Sequence, residues 1–191
     1  MKLVERISPI ESKGRSIYRI TNNFIHFWFK YVFPNKTMLE LDKTKPVLRQ
    51  ILSERDTYIS RKFEDIARQF LERLNGLVLD KIKIEFNKIG KWWRKDKEID
   101  IIAINEKEKI VYFCECKWTK KRVRREVLRN LVRKAEEFEW KRNERREVYL
   151  IFSKSGFEFE SEEDVLLIDL DMMVKFAERN FRIELITDDA T

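Results

Sequence analysis

The sequence predicts a mixed α/β fold, a central sheet flanked by helices. Three observations predict it. From Thr57 onward a helical period gives way to apolar runs of strand length, then a charged helix, then further strands. Two of those runs, "EIDIIAI" and "KIVYFCECKW", are apolar on both faces, the pattern of strands covered from two sides. Finally, 191 residues with 43% hydrophobic content suffice for one full core and a small appendage.

In chain order, roughly residues 1–50 differ in character from 51–191, and the expected division falls there. "KLVERISPIESKGRSIYRI" predicts two short strands about a turn centred on Lys13-Gly14. "TNNFIHFWFKYVFPN" predicts a helix capped by Asn or Thr and stopped by Pro34 and Asn35. Its aromatics surround nearly the whole helix, so it is expected to pack on more than one surface, at a domain or subunit contact. A stacking platform for nucleic acid is the alternative. His26, among those aromatics, reads as a packing residue. "LDKTKPVLRQILSERD" is a second helical or connecting segment, broken near Pro46. A stronger helix starts near Thr57, where Phe63, Ile66, Ala67, Phe70, Leu71 and Leu74 keep helical spacing; Asn75-Gly76 ends it.

Strands are expected in "LVLDKIKIEF", "KIGKWWR", "EIDIIAI" and "KIVYFCECKW", followed by a helix from about Val123 to Trp140. "EVYLIFSKSGF" and "DVLLIDLD" predict further strands, "MMVKFAERN" a helix, and "FRIELI" a last strand.

The 41 Lys+Arg outnumber 34 Asp+Glu, a net charge of +7 that favours anionic partners, nucleic acid first. The 39% of charged residues also suits the surface ion-pair networks of thermophiles. Cys114 and Cys116 lie two apart in a strand, so both point to one face and cannot easily bridge. With His26 as the one histidine, Cys and His cannot build a zinc site. The cysteines read as packing residues in a reducing cytoplasm, and no signal peptide is evident. "FIHFWFKYVF" is too short and too near charge to span a bilayer.

Charges inside the two apolar strands carry the functional signal. Strict alternation puts Asp100, Ile102 and Ile104 on one face, opposite Ile99, Ile101 and Ala103. In the second strand Val111, Phe113, Glu115 and Lys117 share a face. A turn at "NEKEK" brings Asp100 beside Glu115 and Lys117 at one rim of the sheet. Two carboxylates at a buried rim repel and lose hydration, which a divalent cation offsets; their hard oxygens suit Mg²⁺ or Mn²⁺. Lys117 would orient or help deprotonate a metal-bound water, or stabilise phosphate charge. The bland alternative is an Asp–Lys–Glu cluster that merely terminates two strands. The Glu-x-Lys spacing does not decide between them, since Glu11/Lys13 and Glu139/Lys141 share it.

"EID", followed one hairpin later by "ECK", resembles the PD-(D/E)XK nuclease superfamily, whose restriction-endonuclease-like core is helix, three-stranded meander, helix, strand. The resemblance implies that Asp100 and Glu115 hold Mg²⁺ or Mn²⁺ and that Lys117 is the family's lysine, with Ile99 in place of its proline. Glu64 in "RKFEDIARQF" matches the further acid that many members carry on the preceding helix, and Asp65 is the weaker substitute. More narrowly, the run from Phe63 through "KIGKWWRKDKEIDIIAINEKEKIVYFCECKW" is similar to the C-terminal nuclease-like domain of archaeal AAA-type ATPases. "LVERISPIESKGRSIYRITNNFIHFWFKYV" resembles the segment before that domain, the end of a winged helix and its aromatic helix. Gly14, Gly76, Gly90 and Gly156 fit no phosphate-binding loop, so either a partner supplies the motor or the reading frame is separate or truncated.

Beyond the motif, "TKKRVRREVLRNLVRKAEEFEW" predicts a helix with Val127, Leu128, Leu131, Val132, Ala135 and Phe138 on its apolar face. Arg122, Arg125, Arg129 and Arg133 form a stripe opposite; with Lys120 and Lys121 they would guide a phosphate backbone, or form a solvated face paired with Glu126, Glu136 and Glu137. Trp92, Trp93 and Arg94 would stack on bases or cover the sheet. The expected function is therefore a metal-dependent DNA endonuclease. The alternative is a non-cleaving module of the same fold that binds DNA or docks on an AAA-type ATPase. DNA, such an ATPase and a second copy of the chain are the expected partners, with no membrane.

Overall fold

The computed structural model describes residues 3–11 and 14–178. Its centre is a five-stranded mixed sheet in the order β5-β6-β7-β8-β9: β5 (Lys88–Arg94), β6 (Lys97–Asn105), β7 (Ile110–Lys117), β8 (Arg146–Ser153) and β9 (Val165–Asp169). The first three strands are an antiparallel meander, and β7, β8 and β9 run parallel. Parallel neighbours need a crossover, and α4 (Arg125–Ala135) lies in the one between β7 and β8. Helix α3 (Thr44–Leu74) covers the other face, and residues 170–178 form α5 beside it. The expected last strand, Phe181–Ile186, lies outside the described residues. No helix among the described residues is long and apolar enough to cross a membrane.

Two apolar layers hold the sheet. On the α3 side Phe63, Ala67, Leu71 and Leu74 pack on Ile101, Ala103, Tyr112 and Cys114. On the α4 side Leu131, Ala135 and Phe138 pack on Ile102, Ile104, Val111 and Phe113. Each large side chain buried this way stabilises by roughly 1.5–3 kcal/mol before entropy is counted. Both cysteines sit on the α3 side, Cys114 buried and Cys116 half-buried, and burial raises both thiols well above their ordinary value. They are inert packing groups, as expected.

Arg145 closes the α4 side. Its fully buried guanidinium donates to the carbonyls of Ala135 (3.0 Å), Phe138 (2.5 Å) and Trp140 (2.6 Å) and pairs with Glu147. Those bonds satisfy carbonyls at and beyond the end of α4, which stops at Ala135, short of the expected Trp140. At its start, Val123 bridges Phe157 and α4 begins at Arg125.

The N-terminal part departs more from expectation. β1 (Val4–Ile7) and β2 (Ile17–Ile20) pair antiparallel as predicted, and after α3 the run "LVLDKIKIEF" forms a short hairpin of β3 (Val78–Leu79) and β4 (Ile82–Lys83). The aromatic helix does not stop at Pro34. α1 (Asn23–Phe27), capped by the Asn22 side chain, passes through a π turn (Trp28–Val32) and a 3₁₀ turn (Phe33–Asn35) into α2 (Lys36–Glu40). Switching the hydrogen-bond period lets the chain carry a proline that has no N–H to give. Nor does Pro46 break a helix: it sits in the first turn of α3, where a missing N–H costs nothing, so two expected segments are one helix of 31 residues. The expected division at residue 50 falls inside it. Within this chain only Tyr31 of the aromatic run is buried; Phe24, Trp28, Phe29 and Phe33 are exposed. His26 stacks on Tyr58 at 5.3 Å, and burial, with Lys62, Lys30 and Arg61 nearby, lowers its pKa.

Candidate active site

The site forms where β6 and β7 part. Their ladder ends at the Ile101–Cys114 pair, one residue short of Asp100. On its other edge β6 carries a bulge: Gly90 and Trp92 of β5 pair with Ile102 and Ile99, so Asp100 and Ile101 together oppose Lys91. The extra residue overturns strict alternation. Ile99 packs with Ile102 and Ile104 on the α4 side, where alternation had placed it opposite them. Asp100 is thus freed from both ladders, and its carboxylate accepts the Cys116 N–H at 2.7 Å.

Glu115 and Lys117 keep the predicted face, toward α4. Lys117 Nζ bonds one Glu115 oxygen at 2.6 Å, and Lys134 Nζ, from α4, bonds the other at 2.9 Å. On the α3 side Glu64 turns inward as expected and pairs with Lys91 of β5. Asp65, the weaker substitute, points elsewhere: it pairs with Arg19 of β2. Ile66, counted in the apolar stripe, is 51% exposed, because the stripe that meets the sheet is narrower than the sequence pattern.

The electrostatics distinguish the three carboxylates. Asp100 has no ion pair among the described residues. Burial first, then the nearby charges of Glu115 and Glu64, push its carboxyl up to about 7, with the Cys116 N–H and Lys91 working the other way. Burial alone would lower Lys117, but Glu115 and Asp100 outweigh it and hold the ammonium above its ordinary value. Lys91 is held up in the same way by Glu64. Lys117 is therefore a charged donor in the free protein, suited to hydrogen-bonding water or phosphate rather than to accepting a proton.

A groove of ≈ 400 Å³ opens onto Glu115 and is lined by Lys97, Lys117, Asn130, Arg133 and Lys134. Among the described residues no three His, Cys, Asp or Glu side chains are arranged to hold a metal ion. The available donors are Asp100 and Glu115. One or two carboxylates, completed by water and phosphate oxygens, is a donor set that suits Mg²⁺, and an ion there would relieve the repulsion that burdens Asp100.

The structure brings together Glu64, Asp100, Glu115 and Lys117. The predicted basic residues scatter more widely. Lys120 and Lys121 are exposed just past β7, and Arg122 lies against Gly156. Arg125 pairs with Glu162 and, with Arg129, lines a separate groove of ≈ 630 Å³. Trp92 is buried against Phe138, so it covers the sheet. Lys91 and Lys134 were missed. Nothing in the local sequence marks either one, since Lys91 precedes the acidic strand and Lys134 sits among the charges of α4.

No solved structure matches the chain. It is 37% identical over 142 residues to an uncharacterized protein, MJECL04, of Methanocaldococcus jannaschii, an alignment covering 71% of this chain and 31% of that protein. The chain thus spans about a third of the length of this curated relative. A family model described as archaea bacterial proteins of unknown function matches residues 28–148, a span running from the aromatic helix through α3 and the site strands into β8, and the chain belongs to that family, DUF234.

Proposed function

We infer that the chain is a metal-dependent DNA endonuclease that hydrolyses phosphodiester bonds on a restriction-endonuclease-like core. One observation carries this reading: where β6 and β7 part, Asp100 lies within reach of the charges of Glu115 and Glu64, and Glu115 with Lys117 lines a basic groove. The element order supports it, since α3, the β5–β6–β7 meander, α4 and β8 follow the order the PD-(D/E)XK resemblance implies. Asp100 and Glu115 would hold a divalent ion, and the chemistry it would supply is stabilisation of charge on the phosphate and a lowered pKa for water.

The chain's own residues supply the rest. Asp100, unpaired and destabilised, is the side chain that gains most from a cation. Glu115 would exchange an ammonium for it and keep the other. Lys117, held charged, hydrogen-bonds the attacking water or a phosphate oxygen and stabilises the negative charge that develops there. Glu64 and Lys91 fix the α3 wall behind Asp100.

A second reading, a non-cleaving module that binds DNA or docks on an AAA-type ATPase, is favoured by one observation: both oxygens of Glu115 are already satisfied by lysines. Its ATPase form also fits the far longer chain of the Methanocaldococcus relative. Incubating purified protein with plasmid, single-stranded and branched DNA plus Mn²⁺ separates the two. Cleavage abolished by Asp100→Ala and Lys117→Ala supports the endonuclease. Binding without cleavage supports the module, and cleavage that persists in both variants refutes the site.

A further inference from the structure

Cations around Glu115 outnumber the charge that neutralises them. Lys117 and Lys134 both bond this one carboxylate, and neither has another carboxylate partner among the described residues. Arg133, one position before Lys134, donates to the neutral side-chain oxygen of Asn130. Lys97 lines the same groove and pairs with Glu137. This wall therefore holds surplus positive charge where water is partly excluded, and uncompensated charge is costly there. An anion seated in the groove would remove that cost.

The neighbouring face of α4 differs. Arg125 is neutralised by Glu162 and lies over the Phe159 ring, 5.7 Å from its centroid. Arg129 shares that second groove with Arg125 and Glu162, and only Arg133 borders both grooves. Positions 127, 130 and 134 face the site; 125 and 129 face away from it.

Resting on the endonuclease reading, we propose that Lys134, with Arg133, binds a backbone phosphate of the nucleic acid, so that the strand enters between β6 and the 127–130–134 face of α4. Lys134 is a phosphate-positioning residue. An ammonium has three donors, so it braces Glu115 and holds a phosphate oxygen at once. Arg133 lies at the rim and meets the strand further out. The Arg125–Arg129 face then lies off the path of the strand.

The test is fluorescence anisotropy with labelled duplex and single-stranded DNA in EDTA, which separates binding from cleavage, across a salt titration. Lys134→Gln and Arg133→Gln are each expected to weaken binding about tenfold and to lower the slope of log affinity against log salt by about one. Lys134→Arg should restore most of the affinity, which a merely structural loss would not predict. Arg125→Gln/Arg129→Gln should change affinity less than about twofold, since neither contacts the strand. Arg133 is exposed, so its variant tests the path without risk to folding. The proposal is overturned, and the endonuclease reading left standing, if the Arg125/Arg129 pair carries the loss while Arg133→Gln and Lys134→Gln bind as wild type. Wild-type protein that binds neither DNA overturns both.

Discussion

Asp100 and Glu115 are almost equally buried, 8% and 6% exposed, yet they stand in opposite surroundings. Glu115 points to α4 and meets two ammonium groups; Asp100, at the bulge, meets one backbone N–H and two like charges. Equal burial therefore comes with unlike partners, ammonium groups for the one acid and like charges for the other. The helix side of the site carries surplus positive charge and the bulge side surplus negative charge. On the proposed endonuclease reading, this polarity would suit a cation on the bulge side and, a few residues off, the anionic phosphodiester.

Removing the bulge-side charge is the most severe way to break that comparison. Asp100→Asn should lower Mn²⁺-dependent plasmid cleavage about a thousand-fold, and Lys117→Ala should do likewise from the other side. Next in size, Arg145→Met should destabilise by roughly 3–5 kcal/mol in urea unfolding, because it strips three carbonyls and Glu147 of a buried charged partner and loosens α4, which carries Lys134.

A third test sharpens the contrast through pH. Asp100 is held up to about 7 from an ordinary 3.8, so between those values the folded protein binds a proton that the unfolded chain has released. The contribution of Asp100 to metal-free stability should then be greatest below about pH 4, fall as pH rises to about 7, and level off beyond. Asp100→Asn should flatten that slope and raise stability above pH 7 by about 1–3 kcal/mol, while abolishing cleavage. Thermal melting over a pH series in EDTA checks both, and added Mg²⁺ should raise the melting temperature of wild type but not of Asp100→Asn. The smallest effect belongs to an exposed position on the other side of α4: Arg129→Gln should alter stability by less than about 0.5 kcal/mol.

Much of this was legible from letters alone. The two-sided apolar strands and the turn at "NEKEK" follow from period and spacing, because burial on two faces leaves little freedom of register, whereas Glu64 is singled out by the family resemblance. The convergence of Glu115 with Lys117 needed only the alternation of one regular strand. What stayed hidden depended on tertiary context. The bulge at Asp100 is invisible in the run "EIDIIAI", whose every residue fits plain alternation. Lys134 matters through its place across from β7, and nothing along α4 distinguishes it from Arg129. Proline punctuation misled at both Pro34 and Pro46, because a first turn or a change of helical period absorbs the missing donor.

The surplus residue in β6 makes the spacing of this strand as important as its letters. Excising either Asp100 or Ile101 would let β5 and β6 zip together without interruption, giving a tidier edge to the sheet. Losing Asp100 would withdraw the acid, and losing Ile101 would seat Asp100 in a regular ladder opposite Lys91, while the Trp92–Ile99 pair stayed in register. Length variation here should be far less tolerated than substitution of the apolar letters around it, since the irregularity itself aims the carboxylate.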